Sequence, residues 1–127
     1  MPATTTAVSV GQRLCDLVRE GKNMEAIEQL YADDIVSVEA VAMENMPRTM
    51  EGKEAIKGKH TWWVENNELH DAEVKGPFPH GEDRFTVYYR FDITSKPAGQ
   101  RTQMHEVALY TLKDGKIARE EFFYHTG

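Results

Sequence analysis

The run from Tyr31 to Ile56 constrains the fold of this chain more than any other. Tyr31-Ala32-Asp33-Asp34 reads as the end of a helix, and Ile35, Val36 and Val38 are β-branched residues suited to a strand. Glu39 follows at the strand end. Residues 40–49, with Pro47 and two methionines, read as a loop, and Gly52-Lys53-Glu54-Ala55-Ile56 opens a new helix. A second block lies towards the C-terminus. Two strand-like runs, Arg101 to Leu112 and Lys116 to Tyr124, flank Lys113-Asp114-Gly115-Lys116, and a short Asp-Gly turn of this kind fixes an antiparallel hairpin.

The rest of the chain fits around these blocks. Residues 1–7 are expected to be flexible, and residues 8–127 to form a single domain. Val10, Leu14, Leu17 and Val18 give an apolar stripe at helical spacing, with Cys15 beside it, which predicts a helix from Val8 to Arg19. Gly21 punctuates, and Asn23 is placed as the N-cap of a second helix that runs through Tyr31. The third helix spans Lys53 to Glu68, with Ile56, His60, Trp63 and Asn67 on one face. Strands are expected over Leu69–Val74 and Phe85–Ile93, separated by the turn-rich Gly76-Pro77-Phe78-Pro79-His80-Gly81. The predicted class is α+β: a cone-shaped α+β barrel in which three N-terminal helices pack on a strongly curved, mostly antiparallel sheet and enclose a pocket.

Composition excludes several functions. A chain of 127 residues holds one core, or one core and one pocket. The net charge of −6 disfavours nucleic acid and anionic membrane as partners, because both need a basic surface. No apolar run approaches the roughly 20 residues of a membrane span. The first six residues lack the basic start and apolar core of a secretory signal. The single cysteine, Cys15, rules out an internal disulfide and fits a cytoplasmic location. No zinc, P-loop or dinucleotide spacing is present, so no cofactor is expected.

Leu30-Tyr31-Ala32-Asp33-Asp34, Gly52-Lys53-Glu54-Ala55-Ile56 and Asp114-Gly115-Lys116-Ile117 with Arg119 occur in an order and spacing that resembles the nuclear-transport-factor-2-like superfamily. Within it the chain is most similar to the SnoaL-like and ketosteroid-isomerase-like proteins, from Val8 to Tyr124. The resemblance implies a deep pocket, and it implies that Glu39, five residues beyond Asp34, stands where the isomerases carry their proton-moving carboxylate. A pocket raises the proton affinity of such a base by desolvation. Two isomerase positions differ: the expected tyrosine falls on Cys15 and the expected acid near Ala108. Steroid isomerisation of that kind is therefore not expected. Fold membership alone does not give the reaction, since this superfamily hosts isomerases, cyclases, dehydratases, hydrolases and binders.

Strand alternation offers replacement groups. If Ala108 faces inward, so do Met104, Glu106 and Tyr110, and on the last strand Ala118, Glu120, Phe122 and Tyr124. The resemblance also brings His60 and Tyr31 to the pocket. The candidate catalytic residues are Glu39 as base, His60 as donor and Glu106 as a second acid, with Tyr31 as a further donor. Ligand binding is assigned to Tyr31, Trp63, Met104, Glu120, Phe122 and Tyr124. The competing reading leaves Glu39 at an exposed strand end and turns Glu106 and Glu120 to solvent by a one-residue slip. A metal is not expected, because no i,i+4 ligand pair occurs among these residues. Two function classes follow. One is a cofactor-independent isomerase, cyclase or dehydratase that abstracts a proton next to a carbonyl; the other is a non-catalytic binding or dimerisation module for a small hydrophobic or aromatic molecule. An epoxide hydrolase would need an inward Asp-Arg-Asp relay, for which Arg90, Asp92 and Arg101 are the available residues. A homodimer is expected through an outer sheet face carrying Phe91, Val107, Leu109, Ile117 and Phe123.

Overall fold

The computed structural model describes residues 6–42 and 46–125. The elements are α1 (Thr6–Arg19), α2 (Asn23–Leu30), β1 (Tyr31–Val38), β2 (Thr49–Glu51), α3 (Lys53–Asn66), β3 (Asn67–Pro79), β4 (Arg84–Ser95), β5 (Gln100–Lys113) and β6 (Lys116–Phe123). The six strands form one mixed sheet in the order β2-β1-β6-β5-β4-β3. All neighbours are antiparallel except β1 and β6, which run parallel. The sheet is open, with β2 and β3 at its edges, and register shifts in β1–β6, β3–β4 and β5–β6 bend it. The helices cover one face and complete the wall. The expected α+β architecture is the one observed.

Period-two alternation sets what faces inward. On β4, Phe85, Val87, Tyr89 and Ile93 are buried, and on β5 Ala108, Tyr110 and Leu112 are. Leu14, Leu17, Ala26, Ile27 and Ile56 close this core from the helices. Asp114 and Gly115 both adopt positive φ, 52° and 78°, the conformation a two-residue hairpin turn requires and the reason an Asp-Gly pair stands there.

Several boundaries differ from the sequence expectation. Thr6 and Ala7 belong to α1, and Ala7 is fully buried; residues 1–5 lie outside the described residues. Asn23 is the first residue of α2 and not its cap, which is Lys22 with no side-chain cap bond. Tyr31 is already extended, so Asp33 and Asp34 sit in β1, where a register shift against β6 leaves both exposed. β2 was not expected, because three residues with an exposed–intermediate–exposed pattern carry no readable period. β3 runs on through Gly76 and Pro77 to Pro79, since an edge strand tolerates a residue without an N–H and absorbs it at a bulge. On β6 the inward residue is Ile117, not Ala118. The β5–β6 register passes from Thr111–Arg119 to Leu112–Ile117 and leaves Ala118 as the extra residue. Ile117 is therefore core, and Phe91 also packs against the core; neither belongs to the outer face.

Candidate active site

A cavity of about 410 Å³ opens between the helices and the inner sheet face. Its walls carry every residue assigned from sequence: Glu39, His60 and Glu106, and Tyr31, Trp63, Met104, Glu120, Phe122 and Tyr124. Most of the lining is apolar, and Tyr124, Glu39, Lys59, Ser37, Glu120 and Tyr31 form one hydrogen-bonded chain. Inward alternation on β1 runs Ile35, Ser37, Glu39, which carries the pattern past the strand end at Val38. Glu39 is fixed there by its backbone. Its N–H donates to the Arg48 carbonyl at 2.8 Å, and Arg48 Nε donates to the Glu39 carbonyl at 2.9 Å.

The Glu39 carboxylate accepts on both oxygens, from Tyr124 OH at 2.9 Å and from Lys59 Nζ at 2.7 Å. Each side chain of the Lys59–Glu39 pair is 16 % exposed, so solvent screens the pair weakly. Lys59 Nζ also donates to Ser37 Oγ at 2.8 Å. Ser37 Oγ donates onward to Glu120 Oε2 at 2.7 Å, and Tyr31 OH donates to Glu120 Oε1 at 2.5 Å. Ser37 and Glu120 are both buried. Burial pushes the Glu120 carboxyl up; the Lys59 charge and the bonds from Tyr31 and Ser37 oppose it.

Glu106 is the carboxyl left unengaged. It forms no hydrogen bond or ion pair with the described residues. Burial, and then the negative charges of Glu39 and Glu120, push it up to about 8, so at neutral pH it is mostly a carboxylic acid able to donate. Glu106 lies two residues from Ala108 on the same inward face, and Ala108 itself is buried. Cys15 is buried too, with its thiol pushed up to about 11 by desolvation, and it offers no strong donor. Burial lowers the His60 imidazole, which stays neutral at pH 7. Tyr89 and Tyr110 share a hydrogen bond at 2.7 Å beneath the cavity. Trp63 tilts on Phe91 with centroids 5.6 Å apart, and Phe91 stacks on Tyr89 at 5.6 Å, which gives one wall a continuous aromatic surface.

Sequence reasoning missed Lys59 and Ser37. The signal for Ser37 was its place between Ile35 and Glu39 in a strand of period two. Lys59 stands three residues from Ile56 and four from Trp63, so it shares their helical face, but a lysine there reads as solvent-directed. Tyr31, expected as a donor to ligand, donates its hydrogen bond to Glu120. Arg90, Asp92 and Arg101 do not reach the cavity: Arg90 pairs with Asp71 and Glu73, and Arg101 with Asp92. Among the described residues no three His, Cys, Asp or Glu side chains converge as metal ligands would.

The family model described as a SnoaL-like domain matches residues 4–124. The chain belongs to the SnoaL-like family. A SnoaL-like crystal structure from Mesorhizobium loti, a candidate polyketide cyclase also labelled a carbohydrate phosphatase, is 43% identical with a TM-score of 0.85, covering 92% of this chain and 97% of that one. Two more distant structures share the SnoaL-like fold. A candidate SnoaL-like polyketide cyclase from Jannaschia sp. CCS1 is 21% identical with a TM-score of 0.73, over 97% of this chain and 88% of that one. The Δ5-3-ketosteroid isomerase of a Mycobacterium species is 20% identical with a TM-score of 0.67, over 94% and 93%. No curated protein matches the chain.

Proposed function

We propose that this SnoaL-like protein is a cofactor-independent enzyme that abstracts a proton next to a carbonyl of a small hydrophobic or aromatic substrate, and so isomerises, cyclises or dehydrates it. One observation carries the reading: Glu39, a paired carboxylate, and Glu106, an acid held protonated by burial and by the Glu39 charge, line the same cavity. A carboxylate and a carboxylic acid facing one cavity are what proton transfer out of and back into a carbon skeleton needs. Glu39 takes the proton; Glu106 supplies one to the second carbon, or to a departing hydroxyl. The Trp63–Phe91–Tyr89 wall suits a flat ring. Similarity to candidate polyketide cyclases supports an aromatic or polyketide-like substrate class.

A second reading, a binding module without turnover, has its own support. By the resemblance the isomerases' tyrosine falls on Cys15 and their acid near Ala108, and both of these residues are buried without a strong donor. Solvent hydrogen exchange at the α-carbon of enolisable ketones, followed by NMR in deuterium oxide, separates the two. Wild type should exchange the α-hydrogens, and Glu39→Gln should not. Binding of a ketone by wild type with no exchange would establish the module instead.

For assembly we propose a homodimer through the outer sheet face at Val107, Leu109 and Phe123; Val107 and Phe123 are exposed apolar residues there. No helix among the described residues is long and apolar enough to cross a membrane. The negative charge argues against nucleic acid and anionic membrane as partners, and the buried thiol of Cys15 fits a cytoplasmic location.

A further inference from the structure

Among the described residues lining the cavity, Lys59 is the only lysine or arginine. It touches the carboxylate read as the base, it is fixed from behind, and neither the base nor the acid explains it. We propose that Lys59 is the oxyanion-binding residue: its ammonium holds the oxygen of the enolate that forms when Glu39 removes a proton next to a carbonyl. The inference rests on the reading of Glu39 as base and adds to it the group that receives the charge. It also narrows the substrate to a carbonyl compound with an acidic α-hydrogen whose oxygen reaches Lys59 while its ring lies on the aromatic wall.

Three features carry it. The first is position. Lys59 Nζ gives one hydrogen to Glu39 Oε2 at 2.7 Å and one to Ser37 Oγ at 2.8 Å; the third has no hydrogen-bond partner among the described residues, and the ammonium lies 5.2 Å from the centre of the Phe122 ring. Base and oxygen-binding group thus sit side by side, as the short H–C–C=O unit of an enolisable carbonyl requires.

The second is charge. Before reaction the Lys59 ammonium is balanced by the Glu39 carboxylate. When the α C–H bond breaks, its proton goes to Glu39, its electron pair becomes the new C=C bond, and the carbonyl π pair moves to oxygen. Glu39 is then neutral and the negative charge stands on the enolate oxygen. Lys59 changes partner while the net charge of the enclosed site stays constant. A fixed charge that gains its partner only as the reaction proceeds favours the transition state over the bound ground state.

The third is preorganisation. Ser37 holds Lys59, Glu120 holds Ser37 at 2.7 Å, and Tyr31 holds Glu120 at 2.5 Å. Ser37 and Glu120 are buried, so the ammonium is held in place before substrate arrives. Two of the other hydroxyls near the cavity are engaged on carboxylates, Tyr31 on Glu120 and Tyr124 on Glu39, while Tyr89 and Tyr110 share one bond.

The test uses 4-nitrophenol as an enolate mimic, because its absorbance tells bound phenolate from bound phenol, and 4-nitrotoluene as a neutral shape control. Glu39→Gln imitates the base after it has taken the proton and leaves Lys59 without its counter-charge. That variant should bind nitrophenolate at least about tenfold more tightly than wild type, the lower end for a desolvated charge pair, and hold it ionised. Adding Lys59→Met should remove the gain, with 4-nitrotoluene bound equally by all three proteins. The inference is overturned if the double variant binds nitrophenolate as tightly as Glu39→Gln, or if the dye bound to Glu39→Gln is the neutral phenol. That second readout decides the matter alone should the double variant fail to fold. The two readings fail separately. Phenolate binding lost with Lys59, in a wild type that exchanges no α-hydrogen, leaves the oxyanion site standing without the base. Exchange by wild type, with phenolate binding indifferent to Lys59→Met, leaves the base and removes Lys59 from its role.

Discussion

Tyr31 and Glu106 show how burial divides work between chemically similar groups. The Tyr31 hydroxyl is engaged with a buried carboxylate, so its role is to hold Glu120. Tyr31→Phe should therefore lower stability by roughly 1.5–3 kcal/mol, the range for a hydrogen bond to a charged group, as read by urea denaturation. It should weaken ligand binding far less than a change at Glu39 does; a residue that donated to ligand would show the reverse. Glu106 has no described partner, and its proton is available. If it returns the proton, turnover should fall as pH rises through about 8, where the acid ionises. Glu106→Gln keeps the shape but cannot release a proton, so we expect a loss of about a hundredfold or more in rate and disappearance of that alkaline limb from the pH–rate profile.

At the scale of elements, packing overrides local preference in identifiable places. Gly11 stands in the middle of α1, where alanine would ordinarily add about 1 kcal/mol of helix stability. A Cβ there would lie 2.6 Å from Pro77 Cβ and 3.1 Å from the Phe85 ring, because α1 crosses β3 and β4 at this residue. A rigid proline ring cannot move aside, so overpacking wins; Gly11→Ala should destabilise by about 1–2 kcal/mol and lower the urea midpoint. The same competition explains what the sequence reveals and what it hides. Alternation along β4 and β5 survives because each strand there has one apolar and one more solvated face, and it carried Glu106 inward with Ala108 and Tyr110. It fails at Ala118, where a bulge shifts the phase by one residue and brings Ile117 into the core. Helical spacing placed Ile56, His60 and Trp63 on the cavity side, yet Lys59 escaped notice, because the reason to turn an ammonium inward lies on β1 and β6, distant in the chain. The edge strand β2 left no trace, since so short a strand takes its shape from pairing with β1.

For the whole molecule, the cavity makes stability depend on pH. The folded protein keeps the Glu106 proton up to about pH 8, while an unfolded glutamate releases its own near 4.5. Between those values the folded state binds more protons, so stability falls as pH rises through this window and levels off above it. Burial raises Glu120 as well, with the same sign, whereas the lowered His60 acts oppositely at the acid end of the window. The thermal midpoint should drop from pH 5 to pH 8, and Glu106→Gln should flatten that slope; a midpoint that rises over the range would contradict an origin in the buried carboxyls. The strand order also bears on how the molecule comes into being. β6 lies between β1 and β5 and pairs with β1 in parallel, so a strand from the early part of the chain meets one from its far end. Glu39 hangs from the end of β1, whereas Glu120 and Tyr124 arrive with β6 and the residue just past it. Before β6 docks, Lys59 has neither Glu120 behind Ser37 nor Tyr124 across from it, and the carboxylate waits in a half-built trough open to water. Loop closure over that distance is slow compared with helix formation. During synthesis on the ribosome, the pocket is therefore a late product: the helices and the β3–β4 hairpin have an opportunity to form well before its walls are complete.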